Sequence, residues 1–423
     1  MARNIFPLKP LAKAMDTSYP AMNQDPLSAS WPTVNVQVDS NRIKRRWDYA
    51  AERTLLTGAV GQYVTLFRRG TGTTNALILT DTDLIKKEEA TGHTWSYLTP
   101  KYATGTAIAS GTGVEGTTVD WATAGVAAGD YFVSDADHTS DEEPDSSWRK
   151  ISSVTDLNTL VLTSAYTGTG TGSYKIRLVY SVPTDERWQF AVVNDVFCFT
   201  NGNVNVQKWD GSAATAVDLD ATNAVKARYC TCYANRLILA DMYLSAVRQP
   251  WTIKWSKEGD PTDWTDSTAG EIDFADTDEP ITGLGRVGNN LAVFKKNSYY
   301  IGSRTGEATS PFTFPTFKAG VGLWAPYSLV EAYGTCFWLG HENFYVMNGE
   351  EWEPIGDAIK YEFFSRVNDT ERTKVWGVLN ARHNEILWYA TTNEGQKCFS
   401  YRYRENSWST YTFPSTVTGF FKQ

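Results

Sequence analysis

Long apolar runs are missing from this chain. No stretch approaches the roughly 18 consecutive apolar residues that a membrane-spanning helix requires. The N-terminal stretch, MARNIFPLKPLAKAMD, also lacks the apolar central region of a secretory signal, and two prolines interrupt it. We therefore expect neither a membrane-spanning segment nor an export signal.

Residues at metal-ligand spacing are missing as well. The cysteines and histidines are few and scattered: Cys198, Cys230, Cys232, Cys336 and Cys398, with His93, His138, His341 and His383. Cys230 and Cys232 lie close together, but they lack the second pair that a zinc site needs. The sequence predicts reduced cysteines that serve as small core residues, a turn-capping role for His341, and no metal or cofactor.

Recognisable catalytic motifs are absent too. The chain has no Gly-x-Ser-x-Gly nucleophile elbow and no Walker motif. The TGTGTG run at 167–172 lacks the Gly-Lys-Ser/Thr ending and a following helix, so it predicts a flexible hairpin tip. The acidic loop 134–145 matches no cation-binding spacing, which makes calcium there the weaker alternative. We expect no catalytic, cofactor-binding or metal-binding residues and no enzyme activity.

Positive charge is in deficit. Lysine and arginine number 39 against 48 aspartates and glutamates, which gives a net charge of −9. A groove that grips nucleic acid needs a basic surface, so this balance argues against one. The short basic run of Arg42, Lys44, Arg45 and Arg46 predicts a solvated or interface segment instead. The acidic surface remains compatible with DNA that passes without binding.

Aromatic residues and glycine are abundant. The chain has 16 Trp, 22 Tyr, 19 Phe and 32 Gly, and it has few long stretches of helical periodicity. Aromatic residues favour strands, and glycine favours tight turns between them. The composition therefore predicts an all-β protein.

One strand–turn unit recurs along the sequence. Short apolar runs alternate with turns rich in Gly, Asn and Asp, and units lie near 60–100, 186–215, 227–265, 281–317, 327–356 and 372–413. Each unit has about four strands and cannot bury both faces alone, which predicts a β-propeller of about six blades. The proline in FTFPTF marks an edge strand. We expect the closing strand from Lys44–Thr54 or from the C-terminal VTGFFKQ.

Two segments depart from the repeat. Residues 1–55 contain five prolines and predict an extended N-terminal arm with a short strand near Val36. Residues 101–178 are rich in Gly, Thr, Ala and Ser and predict a small β-barrel inserted into the propeller, which itself comprises 56–100 and 179–423. We predict the strands of this insertion at Thr117–Val119, Tyr131–Val133, Trp148–Val154, Thr159–Thr163 and Tyr174–Leu178.

One short amphipathic helix is expected. Ile355, Ile359, Phe363 and Val367 recur every four residues, which is typical of a helix with one apolar face. We expect this helix to pack on the sheets.

Carboxylates and tryptophans lie close together in one part of the sequence. The acidic residues are Glu258, Asp260, Asp263, Asp266, Asp273, Asp276, Asp278 and Glu279, and the tryptophans are Trp251, Trp255 and Trp264. A glycosidase would place two such carboxylates across a sugar site lined by Trp. Turns also require Asp, and stacked sheets also require Trp, so structural roles are the favoured interpretation.

Two phrases in this region carry a resemblance. They are WSKEGDPTDW at Trp255–Trp264 and LAVFKKNSYY at Leu291–Tyr300. With the surrounding residues 185–360, they resemble the tail hub or nozzle proteins of short-tailed bacteriophages, the group that includes packaged-DNA stabilisation and tubular tail proteins. The resemblance covers the first unit and the arm only loosely, and no catalytic residue belongs to either phrase.

The resemblance implies a structural virion protein. That family looks like a β-propeller that assembles as a ring, usually of six copies, below the portal and adaptor proteins, and the genome passes through its channel. An acidic lumen would repel phosphates and let DNA slide. The insertion would meet a neighbouring copy, a tail fibre or tailspike, or the host surface. The alternatives are a receptor-binding or glycan-binding tail protein and a cellular propeller enzyme or scaffold.

Overall fold

The structure is a computed structural model that describes residues 36–39, 42–45, 60–70, 72, 74–88, 95–138, 147–183, 185–220, 225–244, 247–413 and 416–421. The predicted fold class is confirmed: the chain is almost entirely β, with six sheets in the arrangement of a six-bladed β-propeller. Most of the predicted arm, residues 1–55, lies outside the described residues. Within it, Val36–Asp39 and Arg42–Arg45 form an antiparallel hairpin, which confirms the strand near Val36.

The described residues fall into two compact units. Unit A contains those of 227–417 together with the hairpin at 36–45, and unit B contains those of 52–226 and 418–423. Unit A holds four sheets, and unit B holds two sheets and the insertion.

Unit A consists of four antiparallel meanders. Sheet 3 contains Lys226–Tyr233, Arg236–Leu244, Val247–Trp255 and Gly270–Asp273. Sheet 4 contains Ile281–Val287, Asn290–Lys295, Ser298–Arg304 and Phe312–Ala319. Sheet 5 contains Val330–Ala332, Thr335–Leu339, Phe344–Asn348 and Glu351–Pro354. Sheet 6 contains Trp376–Asn380, Glu385–Thr392, Gly395–Arg402 and Ser407–Tyr411.

The proline-marked strand of sheet 4 is confirmed as an edge. Phe312–Ala319 is hydrogen-bonded only to Ser298–Arg304 among the strands that the structure describes. Pro315 has no N–H to donate to a further neighbour, so the strand ends the ladder.

The predicted helix is shorter than the segment 355–367 over which the apolar residues recur. Helix α1 covers Lys360–Arg366, a second short helix α2 covers Asp369–Arg372, and single 3₁₀ turns lie at Pro326–Ser328 and Ala381–His383. The start predicted at Ile355 was wrong because the Ile355 N–H donates to the Phe344 carbonyl at 2.9 Å and thus extends sheet 5. The packing prediction is confirmed, since Ile359, Phe363 and Val367 are buried in the cluster between sheets 5 and 6.

Unit B contains sheets 1 and 2. Sheet 1 contains Gly61–Arg68, Thr74–Thr80, Leu84–Glu88 and Trp95–Tyr97, and Phe420–Phe421 adds to its first strand. Sheet 2 contains Gln189–Val193, Val196–Thr200, Gln207–Trp209 and Val217–Asp218. The closing strand therefore comes from the C-terminal alternative, and it runs parallel to Tyr63 and Val64.

The insertion is one curved antiparallel sheet. Its strands are Lys101–Tyr102, Thr106–Thr117, Tyr131–Ser134, Arg149–Val154, Thr159–Tyr166, Thr171–Gly172 and Tyr174–Arg177. Residues from five of these strands share one buried cluster around Trp121 and Tyr174, as in a small barrel. The strand predicted at Thr117–Val119 was wrong: the strand ends at Thr117 because Thr118 has a φ of +60°.

The insertion joins sheet 1 through a buried ion pair. Arg177 and Asp83 are 3.5 Å apart, and both side chains are almost fully buried. The Arg177 guanidinium also lies 3.7 Å from the Tyr97 ring and 4.5 Å from the Tyr131 ring. Removing one partner of a buried ion pair is strongly destabilising because the other charge is left buried and unpaired, so Arg177 and Asp83 depend on each other.

Gly419 controls the docking of the C-terminal strand. A Cβ there would lie 2.5 Å from the Gly61 and Gln62 carbonyl oxygens. We expect Gly419→Val to displace Phe420–Phe421, at a cost of about 1–3 kcal/mol, and to speed amide exchange in Gly61–Val64. Gly113→Val, at a strand glycine without a left-handed φ whose added Cβ would meet no atom closer than 3.7 Å, is the control that should leave those amides protected. Equal protection of Gly61–Val64 in the Gly419 variant would contradict this role.

Asp130 should make the insertion more stable in mild acid. Burial raises the pKa of Asp130 to about 6, against the opposing hydrogen bonds from the Ala127 and Val179 N–H groups. The pKa of Asp130 is higher in the folded state than in the unfolded state, so the folded state binds this proton more tightly. The resulting stability is fully present below the unfolded-state pKa and is lost as pH rises through about 6.

Lowering the pH from 7 to 5 should therefore stabilise the insertion by about 1 kcal/mol. The measurement is hydrogen exchange of the strands Tyr131–Ser134 and Tyr174–Arg177, corrected for the intrinsic pH dependence. Asp130→Asn should abolish the change. An unchanged pH response in this variant would assign the effect to another group.

Candidate functional site

The loop that follows the third strand of sheet 3 carries most of the candidate carboxylates. Three aspartates each lie two residues before a threonine: Asp260–Thr262, Asp263–Thr265 and Asp266–Thr268. In each pair the aspartate Oδ1 accepts hydrogen bonds from the threonine N–H and from its hydroxyl, at 2.7–3.2 Å. These are successive Asx turns, so the carboxylates define the backbone of the loop.

Lys257 neutralises two of these carboxylates. Its Nζ lies 3.5 Å from Asp263 and 3.2 Å from Asp266. The Thr268 N–H, then its hydroxyl and Lys257, lower the pKa of Asp266 to about 2. The pKa of Asp263 is also lowered, chiefly by the Thr265 N–H. A general acid needs a raised pKa, so neither carboxylate is suited to protonate a leaving group.

The tryptophans of this region hold the loop on the sheet. Trp255 is buried, its ring lies 5.3 Å from that of Phe312, and its Nε1 donates to the Thr268 carbonyl at 3.2 Å. Ser256 Oγ accepts the Leu237 N–H at 3.1 Å. Trp251 and Trp264 are only partly buried and lie elsewhere on the sheet and the loop. The three tryptophans therefore do not line one sugar site.

The second group of carboxylates bonds to other strands. Asp273 accepts the Thr252 hydroxyl, and Asp276 accepts the Tyr300 hydroxyl. Glu279 accepts the Asn297 N–H at 3.0 Å. Asp278 is exposed and makes no hydrogen bond with a described residue. The carboxylates predicted from the sequence thus fall into separate structural contacts.

The phrase at Leu291–Tyr300 forms the two middle strands of sheet 4 and the turn between them. The Phe294 ring lies 5.1 Å from that of Trp338, and the Tyr299 hydroxyl donates to the Glu350 carbonyl at 2.9 Å. Lys295 is fully buried, and its Nζ donates to Thr277 Oγ1 at 2.7 Å. Burial lowers the pKa of Lys295. Each of these side chains serves packing or a connection between sheets.

A cleft of about 450 Å³ lies beside the carboxylate loop, between sheets 3 and 4. Its lining includes Arg236, Glu258, Arg304, Glu307 and Phe312. Arg236 is buried, donates to the Ser256 carbonyl at 2.9 Å, and lies 3.7 Å from Glu258. Arg304 is exposed and forms no ion pair with a residue that the structure describes. The cleft is therefore a polar concavity with one unneutralised cation.

Sequence reasoning did not identify Arg236 and Arg304. They lie in different sheets, and no local motif marks either of them. Only the packing of sheet 3 against sheet 4 brings both arginines to one cleft.

The cysteines and histidines occupy structural positions. All five cysteines are reduced; four are buried and Cys232 is partly buried. His341 lies in a turn, where its ring is 4.9 Å from that of Trp324. His138 Nδ1 lies 3.1 Å from the Lys175 Nζ. His93 lies outside the described residues, and those that are described include no group of three His, Cys, Asp or Glu side chains that could hold a metal ion.

The other predicted loops are accounted for in part. The hairpin tip predicted at 167–172 was wrong: Thr171–Gly172 is a strand, and both it and Thr159–Tyr166 run antiparallel to Thr106–Thr117, so the chain does not reverse between them. The Ala109 N–H donates to the Gly170 carbonyl at 2.6 Å and continues that pairing. In the acidic loop, Asp137 accepts the Tyr166 hydroxyl at 2.7 Å and Asp135 lies 3.6 Å from Lys175; residues 139–146 lie outside the described residues. Across the described parts of the chain, no helix is long and apolar enough to span a membrane.

Comparison with known proteins shows no family for this chain. No family model and no curated protein matches the chain. It is similar to PorZ, a surface component of the type-IX secretion system of Porphyromonas gingivalis, at 12% identity and a TM-score of 0.35, over 86% of this chain and 39% of that one. The chain thus spans well under half of PorZ.

Two further solved structures are similar at the same low level. The computationally designed Ika8 protein matches at 8% identity and a TM-score of 0.39, over 86% of this chain and 91% of its own. The endosialidase of phage phi92 matches at 13% identity and a TM-score of 0.25, over 78% of this chain and 52% of its own. None of these likenesses supports a statement about activity.

We expect Asp266 to stabilise the loop and to have no catalytic role. In Asp266→Ala, the Thr268 N–H and hydroxyl lose their acceptor, and Lys257 loses one partner. We expect faster amide exchange at 265–268 with sheet 3 still protected. Asp278→Ala, at an exposed carboxylate without such bonds, should change nothing.

The wild-type loop should loosen in strong acid for the same reason. The lowered Asp266 pKa gives stability that is present above the usual carboxyl range and is lost as pH falls towards about 2. Unchanged exchange in both tests would contradict the turn assignment.

Proposed function

We propose that this chain is a structural virion protein, the nozzle or hub ring at the tail of a short-tailed bacteriophage. In this role it closes the tail channel, retains the packaged genome and conducts DNA during ejection. Its proposed partners are further copies of itself in a ring of about six, portal and adaptor proteins on one side, and tail fibres or tailspikes. It is assembled in the host cytoplasm and is not an enzyme.

One observation carries the proposal. The two phrases that resemble the nozzle family are used for architecture: the aspartates of WSKEGDPTDW build turns, and the aromatic residues of LAVFKKNSYY pack between sheets. Residues that stabilise turns and pack sheets together suit a protein that forms a rigid conduit, whereas a hydrolase needs carboxylates that face a substrate. The described carboxylates of this region are instead bonded to the protein itself, with Asp278 as the exception.

The charge of the chain supports a conduit. At a net charge of −9, a copy presents an overall repulsive field to phosphates. Specific or tight nucleic-acid binding relies on several cations that neutralise phosphates together. DNA would therefore pass through a ring of such copies without sequence-specific contacts.

A glycan-binding tail protein is the second candidate. The cleft beside the carboxylate loop favours it, because Arg304, Glu258 and Glu307 offer both a cation and acceptors to a ligand with hydroxyl and acidic groups. The nearby aromatic rings weaken it, since Trp255 and Phe312 are buried and present no face for a sugar to stack on.

The mass of the purified protein in solution tests the nozzle proposal. We expect light scattering to give the mass of several copies and negative-stain images to show rings with a central channel. A short DNA duplex should not bind at physiological salt. A strict monomer at every concentration would argue against self-assembly, and tight duplex binding would argue against a sliding surface.

A polysaccharide titration separates the two candidates. The nozzle proposal predicts no change in tryptophan fluorescence on addition of capsular polysaccharide or lipopolysaccharide. A saturable change that disappears in Arg304→Gln and persists in Lys296→Gln, a matched exposed cation on a turn of sheet 4, would favour the glycan-binding protein.

A further inference from the structure

Tyr333 occupies a backbone position that disfavours it. It is the first residue of the two-residue turn Tyr333–Gly334 in sheet 5, with a φ of +53°. Such turns favour Asn, Asp or Gly, and a bulky residue there is an outlier. Two corresponding turns follow the rule, Asn194–Asp195 and Gly288–Asn289, and a third, Ala234–Asn235, has the small residue alanine at the first position.

Core packing does not explain the tyrosine. The Tyr333 side chain is 74% exposed, although its hairpin is fixed: the Gly288 N–H donates to the Gly334 carbonyl at 2.8 Å. A strained residue whose ring is exposed is a candidate for contact with a partner.

A row of aromatic rings connects Tyr333 to the core. Its ring lies 6.2 Å from that of Tyr403, which lies 6.1 Å from Phe337, and Phe337 lies 6.3 Å from Tyr401 in the core. The Tyr403 hydroxyl also donates a hydrogen bond to Asn384 Oδ1 at 3.1 Å. Tyr333 is therefore pre-organised, which lowers the entropy lost on binding.

The surface around the two tyrosines is locally basic. Arg404 follows Tyr403, and Arg382 lies in the turn that contains Asn384. Both arginines are exposed and form no ion pair with a described residue. The neighbouring carboxylate, Glu405, is turned towards Arg402, at 3.5 Å. Tyrosine and arginine are the residues that most often dominate binding energy at protein interfaces.

We infer that Tyr333, Tyr403, Arg382 and Arg404, the Tyr333 patch, bind a second copy of this chain. The inference rests on the proposed ring. A partner with a net charge of −9 is complementary to two unpaired arginines. The patch is basic and the rest of the partner is acidic, so the contact joins two different surfaces. Head-to-tail contacts of this kind generate rings. Two cations are too few for tight binding of DNA.

The test uses a substitution that should improve the hairpin and weaken the contact. In Tyr333→Asn, the new residue suits the left-handed position, so the thermal midpoint of the dilute monomer should stay the same or rise. Self-association, measured by sedimentation velocity over a wide concentration range, should weaken about tenfold or more. Arg404→Ser should weaken it too and reduce its salt dependence.

Tyr361→Asn is the matched control. Tyr361 is 72% exposed on helix α1 and is not one of the patch residues, so its loss should leave association unchanged. Equal association of the wild type and the Tyr333 variant would overturn the inference and leave the ring proposal standing. A closed dimer that depends on Tyr333 would support the patch and contradict the ring. A monomeric wild type overturns both, and a Tyr333-dependent shift seen only with a DNA duplex assigns the patch to DNA.

Discussion

The buried tryptophans tie the sheets to the segments that connect them, and the rest of the structure depends on this. In unit A, the indole N–H groups of Trp338, Trp388 and Trp408 donate to the carbonyls of Gly322, Ser328 and Ile355, all of which lie in connections between sheets. In unit B, Trp188 donates to the Thr80 carbonyl at 2.6 Å. Each indole buries a large apolar area. The three of unit A also satisfy carbonyls in connections between sheets, and Trp188 bonds to the last residue of a strand in sheet 1.

The aspartates of the carboxylate loop also have structural roles, because they hold turns together. Asp260, Asp263 and Asp266 are the acidic residues that a search for a glycosidase would select, yet each is held by the threonine two residues later. A carboxylate that accepts several hydrogen bonds from its own loop is stabilised in its charged form and has little freedom to reorient towards a substrate. The carboxylates that a glycosidase reaction would require therefore stabilise the backbone of the loop instead.

The repeat and its edges were predictable from the sequence because they depend on local rules. Strand-length apolar runs between Gly and Asn turns gave the six sheets, and Pro315 gave the edge strand. The start of α1 was not predictable, since Ile355 fits the helical period but its N–H bonds to Phe344. The φ of Thr118 has no sequence signal, and Arg236 and Arg304 line one cleft only because sheets 3 and 4 pack together.

The C-terminal strand pairs with a strand that lies far from it in the sequence. Thr418 bonds to Gly61, 357 residues earlier, and Phe420–Phe421 covers the free edge of sheet 1. On a ribosome, sheet 1 emerges before the other five sheets and its covering strand emerges after all of them, so that edge stays open while they are made. Exposed edges pair with other chains. Translation that stops short of residue 418 would thus release a protein with nearly all of its sheets and an uncapped edge, which makes premature termination a direct route to aggregation.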